Sequence, residues 1–278
     1  MEKLRVTVLC DNISNDSRFE AEHGFCVHIA RGGASVLADT GASGVFLKNA
    51  AALGIDTSAV NACVLSHNHY DHTGGLEALA EQNNSFRLYL SHHFFKQSGW
   101  FMADKGGVIM PTSGPLTAAG LCERGIGFRY LTTDVFALPE MEGVYVLGNI
   151  PRTVDFETID ESDVVYRNGA WSPDDYRDEL ALAVKTENGL VVLTGCAHTG
   201  VCSIINCAER RLGERVCAAV GGTHLIAHDE TVARKTAEWL KAHGLKKLVA
   251  CHCTGELGFE ALCAEGFEKG CCGWQSEF

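Results

Sequence analysis

Four residues of metal-binding type stand close together in this chain: His67, His69, Asp71 and His72, in the run Ser66-His67-Asn68-His69-Tyr70-Asp71-His72-Thr73-Gly74-Gly75. Imidazole and carboxylate are ligands of zinc and similar divalent cations. A short loop can turn His67 and His69 to one cation while Asp71 and His72 face a second. Such a pair activates water at neutral pH and polarises a carbonyl or phosphoryl oxygen, which is hydrolytic chemistry. Asp71 is the expected catalytic group, both ligating and orienting the attacking water. No Ser-His-Asp set is needed. A mononuclear H-E-x-x-H protease is excluded, because it needs two histidines four apart on a helix. The bland alternative is a chance histidine cluster on a solvated loop; spacing and flanking elements argue against it.

Those flanking elements must position the run. Ala62-Cys63-Val64-Leu65 reads as a buried strand, and Leu76-Glu77-Ala78-Leu79-Ala80 as the start of a helix. The ligands therefore leave the carboxyl end of a strand, where open α/β sheets place their sites. Gly74 and Gly75 are read as letting the backbone pass close to the metals and enter the helix. Upstream, 5–10, 25–29 and 34–38 read as strands, with a hairpin at Arg31-Gly32-Gly33. A helix over 45–53 ends at Gly54.

Downstream, 180–184 and 190–193 flank Glu187-Asn188-Gly189, a hairpin signal. Val201, Ile204, Ile205, Ala208 and Leu212 repeat at helical spacing. The strand 216–220 leads to Gly221-Gly222-Thr223-His224. An amphipathic helix covers 230–243. The last clear strand, 247–250, delivers Cys251-His252-Cys253-Thr254-Gly255, and a short helix closes the chain at 257–265. Between these halves, 126–130 and 144–147 read as strands. Residues 105–120, rich in Gly, Pro, Ser and Thr, read as a flexible connection. The acidic stretch 160–177 reads as a surface loop. Neither an internal repeat nor a linker divides the chain, so 1–278 is expected to be one domain.

The His-x-His-x-Asp-His run in this setting resembles the metallo-β-lactamase-fold superfamily of metal-dependent hydrolases. Glu22-His23-Gly24, Asp39-Thr40-Gly41, Asn49-Ala50, Leu53-Gly54-Ile55-Asp56, Ile150-Pro151-Arg152 and Phe156-Glu157 are similar to one branch of it. That branch includes the archaeal 7,8-dihydropterin-6-methyl-4-(β-D-ribofuranosyl)aminobenzene 5′-phosphate synthase. The resemblance covers most of the chain; the branch usually has glycine where Asn68 stands. It implies an αββα sandwich, two mixed β-sheets flanked by helices, with the metals at one edge between the sheets. It also implies an insertion over the site, a lid around 92–140.

The superfamily completes its centre with a histidine, a bridging carboxylate and a final histidine, each after a strand. His198 and His252 are expected in the histidine places. At the bridge this chain departs, because Leu193-Thr194-Gly195-Cys196 stands where many relatives have Gly-Asp. Cys196 supplies a thiolate, or His198 carries that edge alone, or the thiol only packs; the sequence leaves these open. His224 and His23 are expected to contact substrate, and Asp39 to orient the ligands. His28 is expected to face solvent within its strand, and His243, near a helix end, to be structural.

Composition narrows the partners. The chain has 278 residues, a net charge of −12 and 46% hydrophobic residues. A polyanion meets a repulsive average field, so nucleic acid is not expected. No apolar run reaches the length of a membrane span, so no membrane is expected either. The expected partner is a small-molecule substrate, and a homodimer stays open. Thirteen cysteines, an odd number and mostly inside apolar runs, suit reduced buried thiols in a cytoplasm. No signal peptide is read at the start.

The expected cofactors are two divalent metal ions, zinc first, with manganese or iron as alternatives. The first functional reading is hydrolysis of a small-molecule ester or phosphoester. The second, implied by the branch, is a transferase condensing a pterin diphosphate with an arylamine ribosyl phosphate. The third is a non-catalytic ligand-binding member of the fold, which the intact His67–His72 cluster argues against. A diiron reductase on this fold would carry glutamate at His69 and a flavin domain. A tRNA-processing nuclease is disfavoured by acidity, and a β-lactamase by the missing signal peptide.

Overall fold

The computed structural model describes residues 2–96, 99–102, 109–167 and 169–278. Its first half runs β1 (Arg5–Cys10), β2 (Cys26–Arg31), β3 (Ala34–Ala38), α1 (Val45–Ala52), β4 (Ala62–Val64), α2 (Tyr70–Thr73), α3 (Leu76–Gln82) and β5 (Arg87–Ser91). There follow β6 (Gly99–Met102), β7 (Ile109–Pro111), α4 (Ala118–Glu123), β8 (Phe128–Leu131), β9 (Val135–Ala137), β10 (Val144–Leu147), β11 (Asp163–Arg167) and β12 (Ala170–Pro173). The remainder is β13 (Ala181–Thr186), β14 (Gly189–Leu193), α5 (Val201–Leu212), β15 (Val216–Gly222), α6 (Glu230–His243), β16 (Lys247–Cys251), α7 (Gly255–Ala264), β17 (Glu268–Lys269) and β18 (Gln275–Glu277).

Two sheets face each other, in the orders β18-β1-β2-β3-β4-β5-β8 and β17-β16-β15-β14-β13-β10-β9. Each mixes antiparallel and parallel pairs: β3-β4-β5-β8 and β14-β15-β16-β17 are parallel runs. The inner faces meet through Val6, Val8, Val27 and Ile29 from one sheet and Val146, Leu182, Val191 and Val220 from the other. Each such buried side chain contributes about 1.5–3 kcal/mol. α1 and α3 cover the outer face of the first sheet through Phe46, Leu76 and Leu79. α5, α6 and α7 cover the second through Ile204, Ile205, Leu240 and Leu262. The result is the expected αββα sandwich.

Burial on both faces of both sheets overturns one expectation. His28 does not face solvent; it is 5% exposed. Its neighbour on the same face, Cys26, belongs to the cluster under α1 and α3. Period-two alternation cannot separate a solvent face from a helix-covered one. Its Nε2 lies 2.7 Å from Ser35 Oγ, and Nδ1 has no partner among the described residues. Burial, then Arg5, pushes the imidazole from its ordinary 6.5 down to about 4. A depressed histidine stabilises the fold above the unfolded value, and that stability is lost as pH falls through about 6.5 to 4. The loss amounts to roughly 3 kcal/mol. Urea midpoints of the parent chain will fall across this window more steeply than those of His28→Gln. Equal slopes would contradict the assignment.

Two other elements escaped sequence reading. The chain does not end its strands at β16: β18 pairs antiparallel with β1, Val6 opposite Ser276. The stretch 160–177 is not a solvated loop. It holds the hairpin β11–β12, and β11 pairs with β6 to form a third sheet, β12-β11-β6-β7. The 92–140 stretch divides accordingly. β6 and β7 join that third sheet, whereas β8 and β9 extend the two main sheets. Of the expected flexible connection, 105–108 lies outside the described residues, and β7 and α4 occupy parts of the rest.

Candidate metal centre

The parallel strands β4, β14, β15 and β16 release their carboxyl ends toward one edge. Each delivers part of the site. After β4, Ser66 donates its backbone N–H and its hydroxyl to the Asp39 carboxylate, both at 2.7 Å. His67 Nδ1 lies 2.8 Å from that hydroxyl oxygen. His72 Nδ1 lies 2.7 Å from Asp39 Oδ2. One buried carboxylate thus fixes rings from both ends of the run, as expected for Asp39. Gly74 and Gly75 have a different role from the expected one. A Cβ on either would strike the carbonyl oxygen of Ala42 or Thr40 at 2.1 Å, so they let α2 and α3 pack on the loop after β3.

After β14, Cys196 and His198 enter. Glu179 accepts the backbone N–H of His198 and of Thr199, each at 2.7 Å, and Arg152 Nη1 donates to the His198 carbonyl at 2.7 Å. Glu157 accepts from Cys202 and Ser203 at the start of α5. After β15, a Cβ on Gly222 would lie 2.6 Å from Cys253 Sγ and 3.0 Å from Cys196 Cα, so glycine is required for that approach. After β16, Asp11 accepts the His252 N–H at 2.9 Å, and His252 Nδ1 donates to Asn12 Oδ1 at 2.9 Å. Asn12 Oδ1 also accepts from Gly24 N, which fixes the amide orientation.

The side chains converge as two sets. His67 Nε2 and His198 Nε2 are 3.3 Å apart, with the His69 ring 4.5 Å from His67 and 5.0 Å from His198. On the other side His72 Nε2 and His252 Nε2 are 3.2 Å apart, and Asp71 Oδ2 lies 3.1 Å from His252 Nε2. Cys196 Sγ is 3.1 Å from His72 Nε2 and groups with His67 and His198 on one side, His72 and His252 on the other. His23 Nε2 stands 3.3 Å from Asp71 Oδ2 at the exposed side. The His224 ring lies 4.0 Å from that of His198. All ten sequence-selected residues therefore meet at one edge. Asp39, Ala197, His224 and His252 take left-handed φ of 62, 63, 52 and 51°. Such strain in residues other than glycine concentrates at functional sites.

The electrostatics suit cations. Burial pushes His69 and His252 down to about 4, and His67 and His198 also well down, so these rings are neutral donors. Burial raises Asp71, but His72, His23 and His252 outweigh it and hold the carboxylate ionised. Burial lowers His72, but Asp39 and Asp71 outweigh it and lift the ring to about 9. The outward nitrogens of His67 and His252 are engaged by Ser66 and Asn12, so the inward lone pair of His252 meets the protonated His72 ring at 3.2 Å and that of His67 faces His198 Nε2 at 3.3 Å. Lone pairs that close repel unless a proton or a cation lies between them. Imidazole, carboxylate and thiol together are a zinc-type donor set.

The description "Metallo-beta-lactamase superfamily" matches residues 20–212. The chain belongs to this superfamily. Among relatives, the 7,8-dihydropterin-6-methyl-4-(beta-D-ribofuranosyl)-aminobenzene-5′-phosphate synthase of Methanocaldococcus jannaschii is 29% identical over 266 residues, 92% of this chain and 89% of that protein. The solved structure of Tm1679, described as a metal-dependent hydrolase of the beta-lactamase superfamily, superposes with a TM-score of 0.83 at 30% identity. The match covers 99% of both chains. Zn(2+)-bound PqqB from Methylobacterium extorquens shares the fold, with a TM-score of 0.59 at 13% identity over 99% of this chain and 100% of that one.

Within this metallo-beta-lactamase fold, sequence reading missed the residues that come from the third sheet and from the segment between it and β13. Asp163 and Tyr176 are buried against His198: the rings of Tyr176 and His198 stack at 3.7 Å and 7°, and the Tyr176 hydroxyl donates to Asp163 Oδ2. Asp178 accepts the Asn68 N–H at 2.9 Å, and the Asn68 amide reaches the Phe94 carbonyl. Nothing local announced them, because tertiary pairing places them: Asp163 lies opposite Phe101 of β6, and Asp178 meets Asn68, 110 residues away.

Proposed function

We propose that this protein is a metal-dependent enzyme that hydrolyses an ester or phosphoester of a small molecule. The observation that supports this most is Cys196 standing between two donor sets, His67–His69–His198 and Asp71–His72–His252. Two divalent cations held there, zinc by preference, would activate a water molecule and polarise the bond to be broken. The chain's own groups do the rest. Asp71, held ionised, ligates and orients the proton of the attacking water. His23 shares Asp71 Oδ2, and that pairing raises its own basicity against burial. Asp39 holds ring orientation. His224 and His23 line a cleft of about 540 Å³ above the donors, where they contact substrate. Thirteen unpaired thiols suit a reducing cytoplasm.

A second reading is the transferase. It is favoured by the name of the methanogen relative and by the cleft mouth, where Tyr70, Met110 and Ile226 are 43, 50 and 62% exposed. That apolar rim fits a flat ring beside the phosphate. The two readings differ in the bond broken. In the first, water attacks the carbonyl carbon or phosphorus of the ester and the alcohol leaves. In the second, the arylamine nitrogen attacks the pterin methylene carbon, the C–O bond breaks and diphosphate leaves, its charge met by the cations the site would hold.

The test is a panel of phosphomonoesters, phosphodiesters, lactones and a dihydropterin diphosphate, the last with and without an arylamine ribosyl phosphate. The expected result is turnover that a chelator abolishes and zinc restores. Diphosphate release that requires the arylamine selects the transferase. A protein that carries divalent metal yet turns over none of them overturns both readings.

A further inference from the structure

We propose that Asp163, brought over the site on a strand of the third sheet, is a further metal ligand at the half formed by His69 and His198. The proposal rests on the metal reading above and adds a donor that neither the His-x-His-x-Asp-His run nor the strand-end rule supplies.

Placement comes first. Asp163 opens β11, and its register partner is Phe101 of β6, so strand pairing within the third sheet sets its position. Its side chain is 8% exposed. One donor atom each from His69, Asp163 and His198 lie within 4.8 Å of one another, close enough to share a cation. The carboxyl is held there from behind. Tyr176 donates its hydroxyl to Oδ2, and the same ring lies flat on His198. A single residue therefore fixes the carboxylate and the imidazole against each other, as partners behind metal ligands do.

Charge gives the second argument. The charged groups that act most strongly on Asp163 are the carboxylates Asp160, Asp174 and Asp71. Among the described residues no lysine or arginine forms an ion pair with it. A buried carboxyl in that setting must either keep its proton or face a cation. The groups beside it are the partly buried His69 and the buried His198, each with one ring nitrogen in the same 4.8 Å cluster. A cation satisfies all three groups at once, whereas a proton satisfies one.

The experiment uses the full chain loaded with cobalt(II) or zinc. Metal content, affinity by chelator competition, and the visible spectrum of the cobalt form are measured for Asp163→Asn, Asp163→Ala and Tyr176→Phe. Asp160→Asn serves as a control that removes a neighbouring negative charge. Melting in chelator shows whether each variant folds. Both Asp163 variants should weaken one of the two ions by at least roughly 10–100-fold, the range for losing a residue behind a ligand. They should also shift the cobalt spectrum. Tyr176→Phe should shift the spectrum with a smaller loss of affinity. Folded Asp163→Asn and Asp163→Ala with parent affinity and spectrum overturn the proposal. So does Asp160→Asn behaving like Asp163→Asn, since the effect is then one of general charge. If the parent chain takes up no divalent ion, the metal reading falls with it. If the parent binds two ions and the Asp163 variants match it, only this proposal falls.

Discussion

Alanine at His67 and alanine at Asp71 will each cost the protein one of two bound ions and essentially all turnover. The two residues belong to opposite donor sets, so the losses are complementary. His67 Nε2 faces His198 at 3.3 Å, and Asp71 Oδ2 faces His252 at 3.1 Å. Removing the His67 imidazole leaves Ser66 and Asp39 in place but offers no lone pair to the first ion. Removing the Asp71 carboxylate also strips His23 of its carboxylate partner and deletes one of the two negative charges, after Asp39, that hold His72 high. Loss of a residue behind a ligand costs about 10–100-fold in metal affinity; loss of the ligand itself should exceed that. Elemental analysis should find two ions in the parent and one in each variant, with activity lost in both. Full metal content in both variants would contradict the ligand assignment.

The contrast between these residues and Asp163 shows what the sequence could reveal. His67, His69, Asp71 and His72 are neighbours in one loop, so spacing alone carries the signal. Cys196, His224 and His252 follow strands, and parallel strands bring their carboxyl ends to one edge. A strand-end rule therefore finds them. Asp163 obeys neither rule. Its position depends on β11 pairing with β6 about sixty residues earlier, and its stretch is rich in aspartate, which reads as solvated.

Other misses share this cause. β18 is three polar residues, Gln275–Glu277, whose strand state comes entirely from β1. His28 sits in a strand whose alternation is real, but both faces are covered. Only the sandwich, a tertiary fact, says so. In the same way Glu157 and Glu179 are carboxylates that composition places in solvent. The loop and helix start after β14 bury them as acceptors of backbone N–H groups.

Cys196 separates a thiolate centre from an ordinary carboxylate one. Its Sγ lies 3.1 Å from His72 Nε2, and the side chain is 3% exposed. The protein groups alone do not favour a thiolate: burial, then Cys253, Asp71 and Glu179 push the thiol well up. Only positive charge reverses that, and cations in the two donor sets would sit against the sulfur on both sides. Cys196→Ser keeps the size but offers a poor anion, so it should weaken metal binding about 10-fold or more and slow turnover in step. Cys196→Asp places a negative charge where the resemblance to the superfamily implies a bridging carboxylate, and should restore part of both. The ion preference should move as well, since carboxylate suits manganese better than thiolate does. The parent should therefore favour zinc over manganese by more than Cys196→Asp does. Variants that bind and react like the parent would make Cys196 a packing thiol wedged against Gly222 and Cys253. His198 would then hold its edge of the centre without a bridge.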